Sequence, residues 1–221
     1  MGRLAVIDGL DGCGKQTQTE LLATCLRQEG IPVKQITFPT YTRSSAPIEL
    51  YLSGELGALD EVNVYAASTF YAVDRYASFC RDWGSDYNAG RLVLTDRYVT
   101  ANVIHQMGKL PRERWEDYLE WLSDLEYTRF GLPRPDLVFY LELPLETADA
   151  LLAGRYAGQQ HKKDLHERDK AYLRQCRETA RFAAQRLGWQ VVHCGDGAGG
   201  IRPAQDISRE LRRLLGQTLG L

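Results

Sequence analysis

The sequence has no surplus of positive charge, no long apolar run and no paired cysteines. Lys plus Arg number 27 against 29 for Asp plus Glu, a net charge of −2. That balance argues against a protein that coats nucleic acid through a basic surface, so any polyphosphate site must gather its cations locally. No stretch approaches the roughly 18–20 apolar residues of a membrane-spanning helix. The five cysteines, Cys13, Cys25, Cys80, Cys176 and Cys194, are odd in number, widely spaced and without a CxxC pair. This argues against both a disulfide framework and a zinc site and suits reduced thiols. Internal repeats and low-complexity linkers are also missing, and the first residues run straight into a strand-like segment with no signal-peptide pattern. These absences point to a cytoplasmic protein with neither membrane nor nucleic acid as a partner.

The 221 residues, 44% hydrophobic and 25% charged, are enough for one α/β domain with a full core and too few to require two. Five short apolar, β-branched runs stand out: Leu4–Asp8, Val33–Phe38, Leu92–Asp96, Leu137–Glu142 and Gln190–Cys194. Nearly continuous apolar character over so few residues suits strands covered on both faces of a parallel sheet. Helix-compatible stretches separate them: Thr17–Glu29, Asn63–Trp83, Glu113–Tyr127, Leu145–Leu152 and Lys170–Leu187. In the first of these Leu21, Leu22, Cys25 and Leu26 form one stripe, which Gly30 ends. Strand alternating with helix predicts a five-stranded, doubly wound parallel sheet in a single domain, residues 1–221. Tyr156–Asp164, polar and basic, and Gly195–Pro203, glycine-rich, read as mobile loops.

Between the first strand and first helix stands Gly9-Leu10-Asp11-Gly12-Cys13-Gly14-Lys15-Gln16-Thr17. GxxxxGK spacing in a strand–loop–helix setting is a P-loop. Its glycines bend the backbone so that N–H groups face phosphate oxygens, the lysine adds charge, and the helix N-terminus completes an anion cradle. Gly9, Gly12, Cys13, Gly14, Lys15, Gln16 and Thr17 are therefore expected to hold the phosphates of ATP. Gln16 stands where a hydroxyl usually meets magnesium, and Thr17, its helical neighbour, points about 100° away. The ion must lean on water and carboxylates.

Further along come Phe38-Pro39, Phe70-Tyr71-Ala72-Val73-Asp74-Arg75, Asp96-Arg97-Tyr98, Gly131-Leu132-Pro133-Arg134-Pro135-Asp136 and a basic segment ending Asp164-Leu165-His166-Glu167. In this order the motifs resemble the thymidylate kinases from Ile7 to about Asp169. The resemblance implies a P-loop NTPase fold, ATP as donor, Mg2+, a nucleoside monophosphate as acceptor, and a homodimer. Asp96 and Arg97 close the third strand at the carboxyl edge where open α/β sheets bind ligands. Asp96 would hold Mg2+ directly or through water, and Arg97 would fork onto the acceptor's phosphate. The plainer alternative for these two is an ion pair capping a strand.

Tyr71 and Arg75, four apart, share a helix face. The resemblance has Tyr71 stacking on thymine and Arg75 bonding its edge, with Phe70 turned elsewhere toward the core. The competing reading packs Tyr71 in the core and gives Arg75 a surface ion pair with Asp74 or another carboxylate. Asn102 carries the donors and acceptor needed to read a thymine edge, and His105 stands where relatives often place an aromatic wall beside the ribose. Phe38 and Tyr41, with Arg43 as a further candidate, would meet the acceptor's phosphate, Thr40 replacing a charge common in relatives. Asp11 would bond the acceptor's 3′-hydroxyl or organise its magnesium, and Glu167 would support sugar or metal. Gly12 brings no charge to the P-loop, so cations are expected from a lid at about 155–169, where Arg155, Lys162, Lys163 and Arg168 lie. Arg155 and Lys163 are the catalytic candidates, with Lys15, Asp96 and Arg97.

These readings converge on transfer of the γ-phosphate of ATP to dTMP. A related kinase with another nucleotide or deoxynucleoside acceptor stays open, since Ala101 and His105 depart from the family pattern. A different class, an ATP-dependent switch that reports its state to a partner, stays open as well.

Overall fold

The computed structural model describes residues 1–58, 61–156 and 170–221. Five strands, β1 (Arg3–Gly9), β2 (Val33–Thr37), β3 (Leu92–Asp96), β4 (Leu137–Glu142) and β5 (Gln190–His193), form one sheet in the order β2-β3-β1-β4-β5. Every pairing is parallel, as the continuous apolar runs require. Each strand lies within about one residue of its expected bounds.

Side-chain alternation along β1 divides the core. Leu4 and Val6 face one cluster, with Val93, Tyr98, Ile104, Tyr118, Tyr140 and Cys176. Ala5 and Ile7 face the other, with Leu22, Leu26, Leu94, Phe139, Val192, Ile207 and Leu211. Helices α1 (Lys15–Gln28), α2 (Ala46–Ser53), α3 (Val64–Ser78), α4 (Gly84–Asn88), α5 (Val99–His105), α6 (Trp115–Ser123), α7 (Leu145–Tyr156), α8 (Lys170–Leu187) and α9 (Ala204–Leu219) flank the sheet. The start of α3 is fixed by Asn63, whose side-chain oxygen accepts from the N–H groups of Tyr65 (2.9 Å) and Ala66 (3.2 Å), a side-chain N-cap.

Several expectations change. α2 and α9 have no counterpart in the sequence reading, although Ile207, Leu211 and Leu215 recur every fourth residue and bury one face of α9. Gly195–Pro203 is a tied turn: Asp196 Oδ1 accepts from Ala198 N and Gly200 N, both at 2.8 Å, and Gly195 bridges Ile201. Phe70 is only half-buried and joins neither core cluster. Two π-helical turns, Phe79–Trp83 and Asp124–Arg129, extend α3 (through Ser78) and α6 (through Ser123). Along α3 and the turn after it, Trp83 is fully buried and Tyr65 and Phe79 pack against the core. Val73 and Tyr76 are the large apolar residues that α3 exposes.

The register brings the chemistry to one edge. Thr37 and Ile7 both pair with Asp96, Phe38 N donates to Asp96 O (3.0 Å), and Arg97 N donates to Ile7 O (3.0 Å). The residues after β1, β2 and β3 therefore emerge side by side at the carboxyl end of the sheet.

Candidate active site

The loop after β1 turns on two glycines. Gly9 has φ +156°, and a Cβ there would lie 2.6 Å from Leu141 O and 2.7 Å from Cys13 Sγ. Gly14 precedes α1 with φ +88°, a left-handed conformation that disfavours larger residues. Lys15 opens the helix, buried, its Nζ donating to Leu10 O (3.0 Å) and Asp11 Oδ1 (3.3 Å). Gln16 and Thr17 are exposed, and Gln16 Nε2 donates along the helix to Glu20 (2.9 Å). Cys13 is buried, and burial pushes its thiol up, the profile of an inert structural cysteine.

A cavity of about 590 Å3 opens beside this loop. It is lined by Asp11, Gly12, Gly14, Lys15, Gln16 and Thr17 from the donor side, and by Phe38, Tyr41, Tyr71, Arg75, Asp96, Arg97, Asn102 and His105 across from them. Thus every expected acceptor residue that is described, except the further candidate Arg43, lines one space. Gly9 and Cys13 are not in its wall, and neither is Arg43, which is exposed on a short 3-10 turn. Arg155 belongs to α7 (Leu145–Tyr156); Lys162, Lys163, Glu167 and Arg168 lie outside the described residues.

Arg97 is the hinge between the two sides. It takes a left-handed φ of +65°, rare for a non-glycine residue. Its Nη2 donates to Asp11 Oδ1 and its Nη1 stands 3.2 Å from His105 Nε2. A guanidinium only donates, so in a hydrogen bond between the two His105 accepts through Nε2. Tyr172 OH lies 3.4 Å from His105 Nδ1 and donates to His105 O at 2.9 Å. Burial pushes the Asp11 carboxyl up, but Arg97 and Lys15 outweigh it and hold the group well below the usual carboxylate range. Asp11 therefore stays ionised between two cations.

Asp96 behaves differently. Among the described residues its buried Oδ1 has no hydrogen-bond partner, and burial pushes its carboxyl up despite Lys15 and Arg97. Among the described residues no three His, Cys, Asp or Glu side chains gather as a metal centre. Magnesium at phosphate sites asks for only one or two carboxylates, with phosphates and water completing its shell. An orphaned carboxylate oxygen at the cavity fits that demand better than Asp11, already paired.

Asp8, the last residue of the first apolar run and given no role there, is fully buried. It accepts from Gly9 N (2.8 Å) and Thr100 Oγ1 (2.5 Å), tying the P-loop's first residue to α5. Burial pushes it up as well. Folded Asp8 and Asp96 thus bind a proton more tightly than their ordinary value of 3.8. Each opposes folding above its raised value, and the penalty disappears as pH falls toward the ordinary one. Asp96→Asn is accordingly expected to raise the melting temperature of the ligand-free protein at pH 8. The gain should shrink toward pH 4 while turnover is lost. Thermal unfolding at both pH values checks it, and a lowered melting temperature at pH 8 would contradict it.

Tyr71 and Arg75 do share a face of α3, but Arg75 does not pair with Asp74. Its Nε donates to both oxygens of Glu126 (3.1 and 3.0 Å), Nη2 donates to Glu126 Oε1, and Nη1 donates to Tyr98 O (3.2 Å). Arg75 is 1% and Glu126 0% exposed. Three of five guanidinium N–H groups serve these bonds. Tyr51 meets the Tyr71 ring edge-on, centroids 6.4 Å apart. Asn102 Nδ2 donates to Ser68 O (3.1 Å), which leaves its amide oxygen to accept from a ligand. Asp74 turns to the loop after β2, accepting from Thr40 N (2.8 Å), Thr40 Oγ1 (2.6 Å) and Ser44 Oγ (2.6 Å). Sequence reasoning missed Glu126, Asp74, Thr100 and Tyr51. The one available signal was Asp8, an acid inside an apolar strand.

Comparison with known proteins agrees with this geometry. A family model described as thymidylate kinase matches residues 7–196. The thymidylate kinase of Mycobacterium tuberculosis is 33% identical over 202 residues, covering 86% of this chain and 90% of that one. A probable thymidylate kinase of Thermococcus onnurineus is 33% identical over 154 residues, 68% and 71% of the two chains. In fold, a solved thymidylate kinase from Candida albicans matches with a TM-score of 0.71 over 98% of this chain and 92% of that one, at 20% identity.

Proposed function

The chain belongs to the thymidylate kinase family, and from that premise we infer how its cavity transfers the γ-phosphate of ATP to dTMP, giving ADP and dTDP. The observation that carries this reading is Asp11, whose single oxygen accepts from both Lys15, on the donor loop, and Arg97, on the acceptor side. Two phosphate-handling cations one carboxylate apart suit two phosphates brought together for in-line transfer.

In this reading the amides of Gly12 and Gly14 and the Lys15 ammonium hold the β- and γ-phosphates. Arg97 forks onto the acceptor's phosphate, and Tyr41 meets the same phosphate from the loop after β2. Tyr71 stacks on thymine, Arg75 donates to a ring carbonyl, and the Asn102 oxygen accepts from the imide N–H. His105 and Asp11 face the sugar. Asp96 would hold Mg2+, which supplies charge neutralisation at the phosphates when bound. No strong base is needed, because the attacking phosphate oxygen is already ionised near neutral pH. Arg155 and Lys163, from a lid over about 155–169, would complete the positive shell and exclude water.

The chain is read as a single domain, and exposed Val73 and Tyr76 on α3 support a homodimer through that helix. Among the described residues no helix is long and apolar enough to cross a membrane; we place the enzyme in the cytoplasm. Neither alternative weighed from the sequence, another acceptor or a nucleotide switch, is favoured by the family.

ADP formation with ATP and Mg2+ and, separately, dTMP, dUMP, dGMP, dCMP or thymidine tests the reading. Strong stimulation by dTMP above the others is expected. Equal stimulation by another monophosphate would overturn the base-reading roles, and no stimulation by any acceptor would overturn the transfer reaction.

A further inference from the structure

α3 presents three polar groups one turn apart: Tyr71, Asp74 and Arg75. Tyr71 and Arg75 line the cavity, whereas Asp74 has no place in it and no role in the transfer. Yet Asp74 is 1% exposed, and burying a carboxylate is costly unless its oxygens are fully used. Its three bonds to the β2 loop all come from neutral donors, the main-chain N–H and hydroxyl of Thr40 and the hydroxyl of Ser44. Among the described residues it forms no ion pair. A charge kept there without a cation is poorly explained as a contribution to stability alone.

What Asp74 holds is the residue before Tyr41. Tyr41 adopts φ +51°, a conformation disfavoured for a bulky side chain and stable only where the surroundings impose it. Its side chain lines the cavity, and the backbone on its N-terminal side hangs on Asp74 at Thr40 N and Oγ1. Thr40 Oγ1 lies 2.9 Å from Thr42 Oγ1, and Thr42 Oγ1 3.1 Å from Ser44 Oγ; Thr40 and Ser44 give their hydroxyl protons to Asp74, so Thr42 donates to one of the two.

We propose that Asp74 is a positioning residue for acceptor binding, a buried carboxylate that holds the 40–44 loop in the strained shape presenting Tyr41 to the phosphate of the monophosphate. The inference rests on the reading above in which Tyr41 meets that phosphate. Asp74→Asn converts one acceptor oxygen into a donor that faces hydroxyls and an N–H, so the loop loses its anchor. The acceptor should then bind more weakly while donor phosphates and chemistry are untouched.

Steady-state kinetics on Asp74→Asn, Tyr41→Ala and the double variant provide the test. Asp74→Asn is expected to raise KM for dTMP about tenfold, the equivalent of one charge-assisted hydrogen bond, with kcat and KM for ATP within about twofold. Because Asp74 acts through Tyr41, the double variant should be no worse than the more impaired single variant. Multiplying effects, or equal movement of kcat and both KM values, would show a merely structural carboxylate and overturn the proposal. An unchanged KM for dTMP in Tyr41→Ala would instead remove the phosphate contact itself, and this proposal with it. If Asp74→Asn does not fold, Thr40→Val keeps the carboxylate and main-chain bond. It should raise KM for dTMP alone, with Thr40→Ser restoring it; an unmoved KM overturns the proposal.

Discussion

Replacing Arg97 by alanine is expected to lower kcat/KM for dTMP by about 10^3-fold or more, in the range reported for arginines that stabilise a transferring phosphoryl group. The residue occupies a left-handed turn directly after β3, fixed between Asp11 and His105, so its fork is aimed before any ligand arrives and loses little entropy on binding. Its loss has a second effect. Arg97 is the foremost of the cations that hold Asp11 ionised against burial, and without it the carboxylate between donor and acceptor becomes a poorly compensated buried charge. Arg97→Lys keeps a cation but not the planar fork and should fall between wild type and alanine. Initial rates against dTMP at saturating ATP, with circular dichroism to check folding, measure this. A loss below about tenfold in the alanine variant would remove Arg97 from the phosphate site, since one good hydrogen bond to a charged group is worth that much.

The second large effect concerns stability. Glu126→Ala leaves the Arg75 guanidinium buried with only Tyr98 O as its partner among these bonds, and breaking a buried ion pair by removing one member costs about 3–5 kcal/mol. For a chain of this length that corresponds to a fall in melting temperature of about 10 °C or more. Arg75→Met combined with Glu126→Leu should recover much of the loss, because apolar residues of similar volume often replace such a pair without penalty. The double variant should nevertheless bind dTMP poorly, since the donor to the ring carbonyl has gone. Thermal unfolding and dTMP titration on the single and double variants separate the two contributions. A Glu126→Ala variant as stable as wild type would show that the pair contributes little to folding.

What local sequence can carry, it carried here. Continuous apolar runs located the five strands because a sheet covered on both faces leaves no polar side to alternate with. GxxxxGK located the phosphate cradle because only glycine tolerates its turns, and the four-residue spacing placed Tyr71 and Arg75 on one face because helical geometry is local. The partner of Arg75 was not legible. Glu126 is 51 positions away and sits beside Asp124 and Tyr127 in a stretch that reads as an ordinary charged helix end. Asp74 looked like the natural partner because it is adjacent, yet neighbouring residues on a helix point about 100° apart, and each finds its bond on a different element. α2 escaped notice because it is eight residues long and carries Pro47 in its first turn, where proline is tolerated although it usually signals a break. α9 was overlooked despite a clear fourfold periodicity.

The π-helical turn Asp124–Arg129 contains Glu126 and continues α6 (Trp115–Ser123) without a break. Such a turn accommodates one residue more than an α-helix over the same rise. Its geometry makes the partner of Arg75 a matter of chain length as well as residue identity. Deleting one residue from this stretch would regularise the helix, leaving the flanking turns in phase while shifting which side chain of the turn faces the guanidinium. In aligning this chain with relatives, a gap at this turn therefore outweighs a substitution. A relative that keeps a glutamate in the same column but lacks the extra residue would be expected to aim that carboxylate elsewhere.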